Sequence, residues 1–136
     1  MTDGQAERFE RQFALYHDAK HCLGLANGTV AIETALKAAG LNPGDEVIAP
    51  AITFIATASG VLMARGLPVF ADAIPETGQI DPADVERKVT SRTRGIVIVH
   101  YAGYPTDMDA ILAIAKRHDL FVVEDCAHAQ GTAWRG

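Results

Sequence analysis

The run Ile96-Val97-Ile98-Val99 has no polar face, and three companions of similar character, residues 46–49, 68–71 and 120–123, recur along the chain. A strand apolar on both sides needs cover on both sides, which places it inside a parallel sheet layered by helices rather than in a half-solvated antiparallel one. The segments between the runs have the period to supply that cover. Residues 6–17 carry Phe9, Phe13 and Tyr16 on one helical face, the spacing of an amphipathic helix. Asn27 caps a helix over 28–39 that gathers Ile32, Ala35 and Leu36 on one side and stops at Gly40. Residues 53–65 read as a largely buried helix ended by Gly66, Asp81-Pro82 opens another that ends at Lys88, and 109–118 form an amphipathic one. Residues 22–26 add a further strand, first in chain order. Strand and helix alternate, so the expected fold class is α/β: a three-layer, mostly parallel sheet with helices on both faces, joined by right-handed crossovers.

At 136 residues and 49% hydrophobic, the chain has the size of one globular domain with a single core. Its formal charge of −5, from 12 Lys and Arg against 17 Asp and Glu, argues against a surface for nucleic acid or anionic membrane, and no local basic run offsets it. No apolar run reaches the length of a membrane span. Cys22 and Cys126 lack the spacing of a zinc or redox pair, and M-T-D-G-Q-A-E-R-F-E-R-Q has no apolar signal core. A reducing cytoplasm is the expected location, and no metal site is expected.

Ligands of open parallel sheets gather beyond the carboxyl ends of the strands. The residues expected there are Asn27-Gly28-Thr29, the stretch from Pro50 to Phe54, His100-Tyr101, and Asp125 with His128. A Gly-Thr pair opening a helix offers free N–H groups, a hydroxyl and the positive helix end to a phosphate. A carboxylate such as Asp125, set straight after an apolar strand, suits a protonated ring nitrogen, and an aromatic such as Phe54 can cover a flat ring. Phosphate, cationic nitrogen and flat ring together describe pyridoxal 5′-phosphate, the electron sink of amino-group chemistry. Plainer readings stand beside this one on the same residues: Asn27-Gly28-Thr29 as a helix cap, Phe54 as core, His128 as a structural histidine, His100 and Tyr101 as scaffold, Cys126 as a small buried thiol. Glu124 should face away from Asp125 by strand alternation and bond to neighbouring backbone.

The motifs N-G-T-V-A-I-E-T-A-L, G-D-E-V-I-A-P-A-I-T-F-I-A-T-A, P-V-F-A-D, V-H-Y-A-G-Y-P-T-D-M-D-A-I and V-V-E-D-C-A-H-A-Q-G follow one another over nearly the whole chain. In that order and at those separations they resemble the DegT/StrS family of pyridoxal-phosphate-dependent nucleotide-sugar aminotransferases, of the aspartate aminotransferase fold. The resemblance implies that Gly28 and Thr29 hold the cofactor phosphate, Phe54 stacks on the ring, Asp125 pairs with the pyridinium nitrogen, and His128 sits beside the ring near its phenolic oxygen. It also implies a nucleotide-sugar substrate, an amino-acid donor such as glutamate, and a homodimer.

Family members continue beyond this point to a lysine that holds the cofactor covalently, and they begin ahead of T-D-G-Q. Residues 1–136 are therefore expected to be a partial cofactor-binding large domain, cut at both ends, with no catalytic residue of its own, weak or no binding of pyridoxal phosphate by itself, and no activity alone. Its lysines, Lys20, Lys37, Lys88 and Lys116, fall away from the expected rim. Two alternatives remain: a fragment of a related sugar dehydratase, in which histidine replaces that lysine, and a non-catalytic module of the same fold.

Overall fold

Four strands, all parallel, form one sheet in the order β2-β1-β3-β4: β1 is Glu46–Pro50, β2 Leu67–Ala71, β3 Thr93–Val99 and β4 Phe121–Asp125. The computed structural model describes residues 4–135, so the ends of the expected 1–136 domain, including the first residues of the N-terminal stretch, lie outside the described residues. Five α-helices accompany the strands among those residues: α1 Gln5–Tyr16, α2 Gly28–Ala38, α3 Ala56–Met63, α4 Pro82–Lys88 and α5 Met108–His118. β1 is buried along its whole length, as its central place and apolar composition require.

The two faces of the sheet bury separate clusters. Val47 and Val97 pack with Ile32 and Leu36 of α2 and Val61 of α3, while Ile48, Ile96 and Ile98 pack with Val85 of α4 and Ile111 and Ile114 of α5. Alternation along each strand sorts the side chains between these layers. The chain steps outward from β1 to β2 through α3 on the first face, then returns past β1 to β3 and on to β4 through α4 and α5 on the second. Direction and face reverse together, as a constant crossover hand demands. β1 and β3 are neighbours whose outgoing connections leave toward opposite faces, so a crevice opens beyond their carboxyl ends.

Three local readings of the sequence are corrected. Residues 22–26 form no strand: Leu23 and Leu25 are exposed, no neighbouring strand meets them, and the segment's recorded tie is Gly24 N–H to Glu10 Oε1 at 2.6 Å. Strand propensity without a partner ladder does not make a strand. The helix expected over 53–65 is the shorter α3, because Thr53, Phe54 and Ile55 are spent on the turn out of β1, where Thr53 and Thr57 share a hydroxyl hydrogen bond of 2.8 Å. The last helix, expected over 109–118, starts one residue earlier at Met108, with Asp107 as its N-cap: Asp107 Oδ1 accepts from Ala110 N–H at 3.1 Å.

Candidate functional site

The N-terminus of α2 is capped economically. Asn27 Oδ1 accepts from Val30 N–H at 3.0 Å and its carbonyl from Ala31 N–H at 3.1 Å. The amides of Gly28 and Thr29 are left without a partner among the described residues. A Cβ built on Gly28 would meet nothing within 4 Å, so the space in front of those two donors is open. Free N–H groups and the positive end of the helix macrodipole make this a place for an anion.

Asp125 closes β4 on the α2 side of the sheet, and a cleft of about 320 Å³ runs between them, lined by Gly28, Ala31, Ile32, Val123 and Asp125. Asp125 Oδ1 accepts from Ala127 N–H at 3.0 Å, and no partner of Oδ2 is recorded among the described residues. One end of this cleft therefore favours negative charge and the other favours positive charge.

Glu124 turns to the opposite face, as alternation requires, but its partner is a side chain and not backbone: Oε2 lies 3.1 Å from Nε2 of His100. Backbone groups at this edge are already engaged in the β3–β4 ladder, which leaves the carboxylate free to reach across. His100 is 6% exposed. Its Nδ1 accepts the Thr106 N–H at 3.1 Å, so the neutral ring carries its proton on Nε2 and donates it to Glu124. The fully buried Thr106 donates its hydroxyl to Gln79 Oε1 at 3.0 Å, and Gln79 Nε2 donates to the Tyr101 carbonyl at 3.0 Å. Cys126 Sγ lies with the donor atoms of His100 and Glu124 inside a 4.8 Å group. The proton on Nε2 stands where a cation would need a lone pair, so His100 and Glu124 form a hydrogen-bonded pair with the Cys126 sulfur beside it. Burial, then the Glu124 and Asp125 carboxylates, push the Cys126 thiol above its ordinary range.

Gly28 and Asp125 thus meet at one cleft, with Thr29 the next residue of the same helix turn. Phe54 and His128 stand apart from its lining. Phe54, 75% exposed, projects from the turn after β1, and His128 is exposed with its ring centroid 6.4 Å from that of Tyr101. All four lysines are exposed, and none lines the cleft. Sequence reasoning left His100 as scaffold and passed over Thr106 and Gln79. Nothing in their spacing signals a network, because its members come from two separate loops, those before α4 and after β3, and from the end of β4.

The profile of the DegT/DnrJ/EryC1/StrS aminotransferase family matches residues 1–136. The chain belongs to that family. It is 47% identical over 132 residues to L-glutamine:2-deoxy-scyllo-inosose aminotransferase of Streptomyces lividus, covering 97% of this chain and 31% of that protein. It is 46% identical to GDP-perosamine synthase of Caulobacter vibrioides, covering 94% and 34%. Among solved structures it superposes with a TM-score of 0.92 and 40% identity on NtdA of Bacillus subtilis, determined with bound cofactor PMP, over 96% of this chain and 30% of that one. The chain spans about a third of the length of the curated relatives it matches. No helix among the described residues is long and apolar enough to cross a membrane.

Proposed function

We propose that this chain is the cofactor-holding part of the large domain of a pyridoxal-phosphate-dependent aminotransferase that moves an amino group from an amino-acid donor to a keto sugar carried on a nucleotide. The observation that carries the reading is the cleft shared by Gly28 and Asp125. Two unpaired helix-end amides at one end fit a phosphate, and a carboxylate with a free oxygen at the other fits a protonated ring nitrogen. The chemistry of this donor set therefore fits pyridoxal phosphate.

When bound, pyridoxal phosphate supplies a conjugated ring that takes up electrons from the carbon bearing the amino group. Gly28 and Thr29 hold the phosphate through their amides and the Thr29 hydroxyl. Asp125 keeps a proton on the ring nitrogen, since a carboxylate beside it favours the charged form. From the rim beyond the cleft lining, Phe54 would reach over one face of the ring and His128 toward its edge, as the family resemblance implies. The protein works in the cytoplasm as a homodimer. The inosose aminotransferase and the GDP-perosamine synthase among its relatives support the sugar-like acceptor.

Titration of the intact protein with pyridoxamine 5′-phosphate, followed by fluorescence, tests this. Asp125→Asn removes a charge-assisted hydrogen bond of about 1.5 to 3 kcal/mol, so affinity should fall about tenfold or more. Asp109→Asn, an equal change of charge on α5, should leave affinity alone. Equal losses from both would reduce Asp125 to a contributor of bulk charge and sink the assignment.

A further inference from the structure

β4 ends in two adjacent carboxylates, and although both residues border the cleft, the Glu124 carboxylate is turned to the opposite face, where it meets His100. Successive strand residues point to opposite faces, so a shift of one residue would exchange Glu124 for Asp125. Among the described residues β4 pairs with β3 alone, through Ile98 opposite Glu124 and Val99 opposite Asp125. The residue just beyond that last rung is His100.

We propose that His100 is a positioning residue for Asp125, fixing which of the two acids enters the cleft. It holds both. Its main-chain N–H donates to the Asp125 carbonyl at 3.2 Å, and its imidazole Nε2–H donates to Glu124 Oε2 at 3.1 Å on the other face. The ring cannot turn freely, because Thr106 N–H occupies Nδ1 and Thr106 is itself held by Gln79. A buried chain of polar groups, anchored in the loop before α4, therefore terminates on Glu124.

The tie is not needed to satisfy Glu124. Its side chain is 48% exposed, so water would solvate it well. What the imidazole adds is direction: it draws the Glu124 side chain toward α5 and so pins the end of β4 with Asp125 turned to the cleft. The inference rests on Asp125 being the partner of the ring nitrogen.

The test uses the intact protein and the variants His100→Leu, His100→Gln, Glu124→Ala and the His100→Leu/Glu124→Ala pair. Three readouts are taken: amide hydrogen exchange over residues 121–130 without cofactor, affinity for pyridoxamine 5′-phosphate, and the 15N shift of its labelled ring nitrogen. His100→Leu should speed exchange near Asp125, weaken binding about threefold to tenfold by loss of a charge-assisted hydrogen bond at a half-exposed partner, and move the 15N signal toward the neutral ring. His100→Gln, which can still donate to Glu124, should stay within about twofold of the parent. The double variant should be no worse than either single one, because both remove the same tie. Glu124→Ala, on an exposed side chain, decides the matter if His100→Leu does not fold. Unchanged exchange and 15N shift in these variants, or losses that add in full, would overturn the proposal. A parent that binds no pyridoxamine phosphate would instead refute the cofactor reading, and the exchange rates would still judge whether His100 holds the end of β4.

Discussion

Gly95 and Phe121 stand opposite one another in the β3–β4 ladder, and the phenyl ring lies in the space a side chain at 95 would need: a Cβ there would come within 2.0 Å of the ring. The aromatic covers the glycine and packs on the α2–α3 face beside Val97, which compensates for the missing side chain at an otherwise apolar strand position.

Gly95→Ala should therefore drive the Phe121 ring out of its place and destabilise the fold by about 1 to 3 kcal/mol, the ordinary range for an overpacked site. Phe121→Ala alone loses packing area, but it also clears the space. The double variant should be clearly more stable than the sum of the two single losses implies, a coupling readable from chemical-denaturation midpoints. Strict additivity would mean that the ring and the glycine do not share that space.

The second expectation concerns acid. Asp84, buried in α4, accepts the Asp72 N–H at 2.8 Å and the Arg87 guanidinium at 2.9 Å. The backbone donor chiefly, with Arg87 and Lys88 adding to it against the opposing effect of burial, holds its carboxyl below the usual range. A native value below the unfolded one contributes stability that is fully present above the ordinary carboxylate range and is lost as pH falls through the depressed native value. Melting temperature measured from neutral pH downward should decline less steeply in Asp84→Asn than in the parent. Identical acid limbs would remove Asp84 from the account.

Much of this architecture was legible because its signals are local. Ile96 to Val99, the cap at Asn27 and the Asp81-Pro82 start each specify an element without help from distant residues, and the family motifs brought Gly28 and Asp125 to attention together. The failures have a common physical source. Residues 22–26 have strand composition, yet a strand exists only through a neighbour, and none lies beside them. Glu124 was placed on the correct face, but its bond to His100 depends on how the loop carrying Thr106 folds back onto β3. Phe54 and His128 were read by motif, and their places at the rim, apart from the cleft lining, follow from the turns after β1 and β4.

The Cys126 thiol offers a third test. Burial and the flanking carboxylates of Glu124 and Asp125 raise it above its ordinary range, and the thiolate is the reactive form. Iodoacetamide should label Cys126 in the folded protein more slowly than in urea-unfolded protein at mildly alkaline pH, and the rate should climb as pH rises beyond the usual thiol range. Glu124→Gln should speed the folded-state reaction modestly by removing one negative charge. A folded-state rate equal to the unfolded one would show that neither burial nor charge protects the sulfur.

The last expectation follows from where the lysines sit. Pyridoxal phosphate with borohydride leaves a stable label on any lysine whose amine condenses with the aldehyde, and a bound ring directs that label to the amine within its reach. Lys37 is ion-paired with Glu33 on the outer side of α2. Lys20 lines a groove beside α1 with Glu7 and Glu10, and Lys88 and Lys116 are exposed at the ends of α4 and α5. None borders the cleft between Gly28 and Asp125, so a ring seated there would present its aldehyde to none of them. Peptide mass spectrometry over these 136 residues should find scattered, substoichiometric labelling that is indifferent to Asp125→Ala. One lysine labelled in full, and spared when Asp125 is changed, would mean that the chain brings its own amine to the ring and that the ring does not sit between Gly28 and Asp125.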